Sequence, residues 1–414
     1  MSRPEQRAAA FGVLLGALAA WGVAGTALAA DQPLATLFRE LDHQLGRNGD
    51  DESRSEFRAR LASVDREALD DTDWLDLHIA LRALDRRLAP VVPRGLPRGE
   101  RGPGESSEHW FDVRCREDGL LPAGEAAYAA MLRDVHGLEL SPLAVLRTGE
   151  MAIAGVTEEL EAFAAAQPGG RSWRQLVEVS RLDRPSRPEG VPRLCSTLVD
   201  ASFDAFADST LVTVPATLPR LDVRVAPRAA PYPFAVYEPR RRTADGFRPA
   251  VIGVAQPPRA PSEAALEEYV GDFDVHWLRL VAGHEGVPGH HLQFARAAEV
   301  ASHVRPRGYN ATYVEGWAFY AEHLVVRAGL LGNTLDHLGE LRMRAWRASR
   351  CRIDAALHLG LMAPSEALRI LVEEAGLSAR AAEMDVRHTL RAPTHGMSYW
   401  IGRRLIERMR DDYV

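Results

Sequence analysis

Three histidines and one glutamate lie within residues 284–291, HEGVPGHH, in a chain that has fourteen histidines. Zinc hydrolases often carry such residues as H-E-x-x-H, which places two imidazoles one helical turn apart on one face. Here His290 follows His284 by six residues, and on a regular helix the two side chains would point to opposite faces. His291, at seven residues, returns to the face of His284 two turns away. The spacing therefore leaves both histidines as candidate partners of His284.

Pro288 and Gly289 separate the two candidates from the start of the motif. Proline lacks the N–H that would bond the carbonyl of residue 284, and its ring clashes with that turn. We therefore expect a helix bulge or break that brings His290 back towards His284. On this hypothesis the two histidines bind a metal and Glu285 is the general base that activates a bound water. The alternative is a set of unrelated histidines near a helix break.

The third ligand is expected on a following helix. The stretch YVEGWAFYAEHLVVRAGLL, from residue 313, predicts a buried apolar helix on which Glu315 and Glu322 share one face. Buried carboxylates need a metal or hydrogen-bond donors. We predict that Glu315 binds the metal and that Glu322 orients a ligand, with an ordinary salt bridge as the alternative for Glu322. For two histidines and a glutamate the default metal is zinc, one ion per chain.

Further polar residues follow near the C terminus. One helix carries a stripe at spacings of three, four and four residues, formed by Arg347, Arg350, Asp354 and His358. Such a face could hold a substrate carboxylate or stabilise an oxyanion, and a structural ion-pair ladder is the alternative for the first and third members. We assign substrate binding to Arg350 and oxyanion stabilisation to His358. The turn RAPTHGMSYW adds His395 as a candidate substrate ligand and Tyr399 as a candidate oxyanion donor, with packing as the alternative for the tyrosine.

These motifs resemble a bacterial family known as domain of unknown function 885. Its pattern H-E-x-x-P-G-H-H-L-Q is matched by residues 284–293, E-G-W-A-x-Y-x-E by residues 315–322, and R-A-x-R-x-x-x-D-x-G-x-H by residues 347–358 with Ala356 in place of the glycine. The resemblance implies a mainly α-helical, gluzincin-like metallopeptidase fold and favours His290 over His291 as the ligand. In the family's P-G-Q-x-x-x-Y-x-x-G segment, His395 stands here where glutamine is usual.

The N terminus predicts export. Two arginines precede an apolar run at residues 10–30 that ends in small residues typical of a cleavage site. We interpret residues 1–30 as a signal peptide of a periplasmic or secreted protein, with a retained membrane anchor as the alternative. No other segment is apolar and long enough to cross a membrane.

Composition and periodicity predict a globular, mainly α protein. The chain has 414 residues, of which 46% are hydrophobic and 26% charged, and its net charge of −7 comes without the basic block that nucleic-acid binding would need. Helical patterns cover residues 31–208 and 262–414, and a strand-rich element at 209–256 precedes the metal-site helix. We treat 31–414 as one domain, in which a strand near 249–255 pairs with substrate backbone.

Three cysteines, Cys115, Cys195 and Cys351, allow one disulfide at most, between the first two, and three free buried thiols are the alternative. The sequence thus predicts an exported zinc-dependent peptidase that acts on peptides. Its alternatives are a metal-dependent amide hydrolase for a small molecule and a non-catalytic periplasmic binding protein. The oligomeric state stays open.

Overall fold

The computed structural model describes residues 33–45, 50–67, 69–88, 110, 112–113, 123–226, 233–239, 241–243, 246–258, 262–300, 302, 304–305 and 308–413. Within these residues the protein is mainly helical, as predicted. The predicted signal peptide and Cys115 lie outside the described residues. Cys195 and Cys351 are buried free thiols.

Three helices at the N-terminal end have a hydrophobic core of their own. They are α1 (Pro33–Leu45), α2 (Asp51–Ala62) and α3 (Asp71–Leu88). Asp50 caps α2, since its carboxylate accepts a hydrogen bond from the backbone N–H of Ser53. Buried leucines and phenylalanines from all three helices form this core, and Val304 adds to it from a segment much later in the chain. The interpretation of residues 31–414 as one domain stays a prediction.

Four further helices with described bounds precede the strands. They are α4 (Glu125–Met131), which continues into a π-helical turn (Leu132–His136), α5 (Pro142–Ala165), α6 (Trp173–Ser180) and α7 (Gly190–Ala207). Ser141 caps α5 by accepting a hydrogen bond from the N–H of Ala144, and Pro142 occupies the first turn.

The β element consists of one three-stranded sheet and one hairpin. Its strands are β1 (Asp222–Val225), β2 (Ala235–Glu238), β3 (Arg241–Thr243), β4 (Gly246–Arg248) and β5 (Val251–Val254). In the sheet β5 lies in the centre, parallel to β1 and antiparallel to β2, and β3 pairs with β4. The prediction that residues 249–255 offer an edge to a substrate is therefore wrong, because both edges of β5 are already paired. The edge strands are β1 and β2, and among the described residues the outer edge of β2, which lines the cavity, pairs with no other strand.

The described residues of the C-terminal half include eight α-helices. They are α8 (Glu263–Gly271), α9 (Val275–Glu285), α10 (His290–Glu299), α11 (Ala311–Arg327), α12 (Thr334–His358), α13 (Pro364–Glu373), α14 (Ala379–Arg391) and α15 (His395–Tyr413). The long α12 is buried on most of its surface and packs against α5, α9 and α15. None of the described helices is long and apolar enough to cross a membrane.

One close helix contact depends on glycine. A Cβ atom at Gly402 of α15 would lie 1.9 Å from the carbonyl oxygen of Thr312 on α11, and a Cβ atom at Gly316 would lie 2.5 Å from the carbonyl carbon of Gly402. Any side chain at either position would therefore force the two helices apart. Because α11 carries Glu315 and α15 carries Tyr399, this contact sets the distance between two of the predicted site residues.

Candidate metal centre

The histidine motif is divided by a break between two helices. Helix α9 ends at Glu285, and α10 begins at His290. Between them, the N–H of Gly286 bonds the carbonyl of Ala282 and the N–H of Gly289 bonds the carbonyl of Gly283, both at 2.9 Å. The expected interruption at Pro288 and Gly289 is therefore a complete break with a tight connection, and not a bulge in a continuous helix.

No side chain larger than the hydrogen atom of glycine fits at Gly289. A Cβ atom there would lie 1.9 Å from the carbonyl oxygen of His284. Two side chains from other helices also hold the connection: Ser202 of α7 donates to the carbonyl of Val287 at 2.6 Å, and Trp317 of α11 donates to the carbonyl of Pro288 at 3.0 Å. Contacts with α7, with α11 and with the backbone of His284 thus hold the break and fix the residue at which α10 begins.

Three buried side chains converge where the break turns the chain. His284, His290 and Glu315 each offer a ligand atom, and these atoms lie within 4.8 Å of one another. The Nε2 atoms of the two histidines are 3.6 and 3.5 Å from Oε2 of the glutamate. The two imidazole rings stand nearly perpendicular, at 83°. The three predicted ligands therefore come together.

The donor set fits a small divalent cation. In tetrahedral zinc sites with bonds of about 2.0–2.2 Å, neighbouring ligand atoms lie about 3.3 Å apart, close to the histidine–glutamate distances of 3.6 and 3.5 Å. The electrostatics of the cluster also favour a bound cation. Burial lowers the pKa of His284, but its hydrogen bonds to Glu315 and Glu322 raise that pKa to about 9. The centre thus favours a positive charge between its histidines and carboxylates, which a metal ion could supply.

Glu322 orients the first of these histidines. Its Oε1 lies 2.8 Å from Nδ1 of His284, and Arg347 contacts the same oxygen at 3.3 Å. Because an ionised carboxylate only accepts hydrogen bonds, Nδ1 carries the proton and Nε2 is left as the ligand atom. Glu322 thus orients a ligand histidine, as predicted. It also forms a salt bridge, with Arg347, which was the alternative that the sequence left open.

Glu285 lines the cavity beside the cluster. One of its carboxylate oxygens accepts a hydrogen bond from the backbone N–H of Tyr237 in β2 at 2.7 Å. Burial is the main cause that raises its pKa, and the neighbouring His284 and His290 partly oppose this effect. The carboxyl group is therefore oriented by the free edge of β2, and it is more basic than an exposed glutamate.

His291 does not belong to the cluster. Its Nε2 lies 2.7 Å from the carbonyl oxygen of Pro219, and its Nδ1 lies 3.3 Å from the hydroxyl of Tyr237. It therefore ties α10 to the chain before β1 and to β2. Of the two histidines between which the spacing could not decide, His290 faces Glu315.

His395 contacts a predicted ligand instead of lining the cavity. Its Nε2 is 3.4 Å from Oε1 of Glu315, the oxygen not shared with the two histidines, and its Nδ1 is 3.1 Å from Nε2 of His388. The predicted role in substrate binding is thus replaced by a contact that holds Glu315. His388 was not predicted, because it belongs to no motif and is marked only by its position in the last turn of α14, just before the Pro/Gly turn.

Two arginines and Tyr399 form the cavity wall beside the cluster. The guanidinium carbons of Arg347 and Arg350 lie 4.3 and 4.9 Å from the centre of the Tyr399 ring, and that ring lies 6.1 Å from the His284 ring. The cavity has a volume of about 310 Å³. Tyr399 and Arg350 therefore reach the site that the sequence assigned to them.

His358 does not reach the cavity. It is fully buried, its Nε2 lies 3.1 Å from the carbonyl oxygen of Thr389, and its ring stacks on Tyr128. Its assignment as an oxyanion donor is therefore wrong. The physical reason is helix length: His358 follows Arg347 by eleven residues, which is about 16 Å along the axis.

Asp354, from the same stripe, positions the turn before α15. It accepts hydrogen bonds from the backbone N–H groups of Thr394 and Met397 at 3.0 and 3.1 Å, and from the hydroxyl of Tyr128 at 3.2 Å. Its Oδ1 also lies 3.9 Å from Nε2 of His358, so one contact within the stripe is present as well. Asp354 thus fixes the start of the helix that carries Tyr399.

Fold and site together define a mainly helical protein with a buried histidine–histidine–glutamate cluster at the side of a cavity. The sequence profile of DUF885, described as a bacterial protein of unknown function, matches residues 104–414. The chain belongs to this family. No curated protein matches the chain.

Two solved structures share the fold. One is a "putative lipoprotein" from Colwellia psychrerythraea, with 19% identity and a TM-score of 0.58 over 92% of this chain and 63% of that one. The other is a "putative lipoprotein of unknown function" from Shewanella oneidensis, with 17% identity and a TM-score of 0.58 over 92% of this chain and 67% of that one. The chain thus spans less than two thirds of the Colwellia protein.

Proposed function

We propose that this protein is a metal-dependent hydrolase of peptide bonds, with a gluzincin-like arrangement of its site. One observation carries the proposal: ligand atoms of His284, His290 and Glu315 lie within 4.8 Å of one another, and Glu285 lines the same cavity beside them. Metal binding alone needs no such neighbouring base. A hydrolase does need one, to take a proton from water.

The residues divide the chemistry among themselves. A zinc ion held by the cluster would polarise the substrate carbonyl and lower the pKa of a water molecule. Glu285 accepts the proton of that water and passes it to the leaving amine. The bond to the N–H of Tyr237 keeps its carboxylate facing the cavity during this transfer. Tyr399, at the cavity wall, donates a hydrogen bond to the oxyanion that forms on the carbonyl oxygen.

The free edge of β2 supports a peptide as the substrate. Residues 233–237 line the cavity, and the opposite edge of the strand pairs with β5. An extended peptide can add to such an edge through main-chain hydrogen bonds, at groups other than the Tyr237 N–H, which donates to Glu285. This strand takes the place of residues 249–255, to which the sequence analysis gave that role.

Metal analysis and one substitution test the proposal. Purified protein is expected to contain about one zinc per chain, to cleave members of a peptide library, and to lose this activity with a chelator. Glu285→Gln should keep the metal and lose at least about a hundredfold in kcat. Protein without stoichiometric metal, together with an undiminished Glu285→Gln variant, would refute the assignment. A metal-loaded wild type that cleaves no library member would favour a non-catalytic binding protein.

A second candidate is a metal-dependent amide hydrolase for a small non-peptide molecule. The small cavity, about 310 Å³, favours it, because ligand pockets range from about 300 to 1,000 Å³. Profiling small amides beside the peptide library separates the two candidates, since each predicts turnover of only one substrate set.

Export is proposed from the N-terminal sequence, with support from relatives described as lipoproteins. Residues 1–30 would then be removed, and the protein would act in the periplasm or outside the cell. Mass spectrometry of protein from the native host should find a mature N terminus near residue 31. A chain that keeps residues 1–30 would contradict this.

A further inference from the structure

The cavity wall carries positively charged side chains that are not part of the metal centre. Among the residues that the structure describes, the charged side chains that line the cavity are Glu285, Glu315, Arg347 and Arg350. The two glutamates belong to the metal centre. The two guanidiniums are therefore the charged groups available to a bound substrate.

The carboxylates that pair with these arginines stand behind them. Arg347 pairs with Glu322, and Arg350 pairs with Asp385, and neither acid lines the cavity. The wall therefore presents positive ends to the cavity while the compensating negative charge lies deeper in the protein. Such an arrangement favours a substrate with an anionic group on this side.

Arg350 is tied to Asp385 through two of its nitrogens. Its Nε donates to Oδ1 of Asp385 at 2.7 Å, and its Nη2 contacts the same oxygen. Trp346 donates to the other oxygen of Asp385 at 2.9 Å. Burial opposes the charge of Arg350, but Asp385 more than offsets it and raises the arginine's pKa. The ion pair with Asp385 therefore holds Arg350 in place in the cavity wall.

Arg347 has donors to spare. Its contact with Glu322 measures 3.3 Å, longer than the 2.7–2.9 Å typical of charge-assisted hydrogen bonds, and Glu322 also binds His284. Its Nε is buried and has no hydrogen-bond partner among the described residues. The rings of Trp346 and Tyr399 lie over the guanidinium at 4.1 and 4.3 Å. With both faces covered, the guanidinium can take a ligand only at its edge, and a carboxylate matches the fork of N–H groups there.

We propose that Arg347 binds the C-terminal carboxylate of a peptide whose last peptide bond lies at the metal centre, so that the protein releases C-terminal residues. This inference rests on the proposed function. Arg347 and His284 contact the same oxygen of Glu322, so about one residue separates the carboxylate site from the cluster. The cavity of about 310 Å³ has room for such a chain end.

Paired peptides test the proposal. Two otherwise identical peptides, one with a free C-terminal acid and one with a C-terminal amide, are compared by kcat/KM. The wild type should prefer the acid by about 30-fold, the value of one buried charge-assisted contact. Arg347→Gln should reduce this ratio to about 1. Arg352→Gln, on the same helix but paired with Glu374 outside the cavity, should keep it. Equal losses for both peptides, with the ratio unchanged, would overturn the proposal.

Binding gives a readout that needs no turnover. Glu285→Gln is titrated calorimetrically with both peptides, with and without zinc. The acid should bind at least about tenfold more tightly, and the double variant Glu285→Gln/Arg347→Gln should lose this difference. If Arg347→Gln does not fold, Arg347→Lys, which keeps the charge without the planar fork, should lose part of the preference. Equal binding of the acid and the amide would contradict the carboxylate site but not the proposed hydrolysis. Tight binding of the acid without cleavage would contradict the proposed hydrolysis but not the carboxylate site.

Discussion

At the residue scale, the centre depends on how its ligands are held. Glu322 binds Nδ1 of His284 at 2.8 Å and thereby leaves Nε2 for the metal. We predict that Glu322→Gln lowers zinc affinity about tenfold and Glu322→Ala about a hundredfold, because outer-shell carboxylates fix both the tautomer and the ring orientation. Competition with a chromophoric chelator measures the dissociation constant. Glu373→Gln, a surface change paired with Arg369, serves as the control and should bind zinc like the wild type.

His395 gives a second prediction at this scale. Its Nε2 lies 3.4 Å from Oε1 of Glu315, so it restrains the carboxylate that faces both ligand histidines. His395→Gln keeps an N–H donor and should hold zinc affinity within about threefold, whereas His395→Leu should lose about tenfold. Competition with the same chromophoric chelator measures the zinc affinity of both variants. If the leucine variant binds zinc as tightly as the glutamine variant, the contact contributes nothing to the centre.

Residue types and spacings predicted part of the site. His284, Glu285 and Glu315 followed from chemistry at known helical spacing, and the structure brings them together. The choice of His290 over His291 could not follow from spacing, because it depends on the path of residues 286–289 between two helices. The assignment of His358 failed because a stripe on one helix face says nothing about where along the helix the cavity ends.

At the element scale, one buried histidine links three pieces of backbone. His136 ends the π-helical turn, and its two ring nitrogens lie 2.8 Å from the hydroxyl of Thr312 in α11 and 2.9 Å from that of Thr394 before α15. Burial, aided by the charges of His395 and Arg86, lowers the pKa of His136 to about 3. The folded protein therefore keeps this histidine neutral at pH values where an unfolded chain would protonate it.

The consequence is a stability that falls with acid. The folded pKa of about 3 lies below the unfolded value of 6.5, so the unfolded state binds more protons as the pH drops below 6.5. This histidine should then remove about 2 kcal/mol of unfolding free energy between pH 7 and pH 5. His136→Gln keeps donor and acceptor groups and should lack that contribution. Denaturant titrations of metal-free protein at both pH values measure it, and identical pH dependence in the two proteins would contradict the prediction.

Elements were easier to predict than their pairing. Helical periodicity predicted the helices, because this signal is local in sequence. The strand order was not predictable in the same way: β1 and β5 pair across residues 226–250, and which strand forms the edge depends on such distant contacts. The prediction of an edge at 249–255 failed for this reason, and β2 was found at the edge only in the structure.

At the scale of the whole molecule, α1–α3 form a unit with its own core, and they precede the region that the family profile matches. Asp76 of α3 ties this unit to the segment between α10 and α11. It accepts hydrogen bonds from Arg305 and from Ser302, both at 2.7 Å. Arg86 of the same helix contacts the carbonyl of Tyr309, a residue that lines the cavity. The N-terminal unit therefore supports part of the cavity wall.

Removal of Asp76 should loosen this support without disturbing the metal centre. The side chains of Asp76 and Arg305 are only 1% and 8% exposed, so Asp76→Ala leaves a buried guanidinium unpaired and should cost the unit about 3 kcal/mol. Hydrogen exchange should rise in α3 and residues 308–310, while α9 and α11 stay protected because the metal centre and the main core hold them. Asp76→Leu with Arg305→Met should recover most of the protection, since an apolar pair can replace a buried ion pair. Exchange in Asp76→Ala that matches the wild type would mean that the unit is held by its apolar contacts alone.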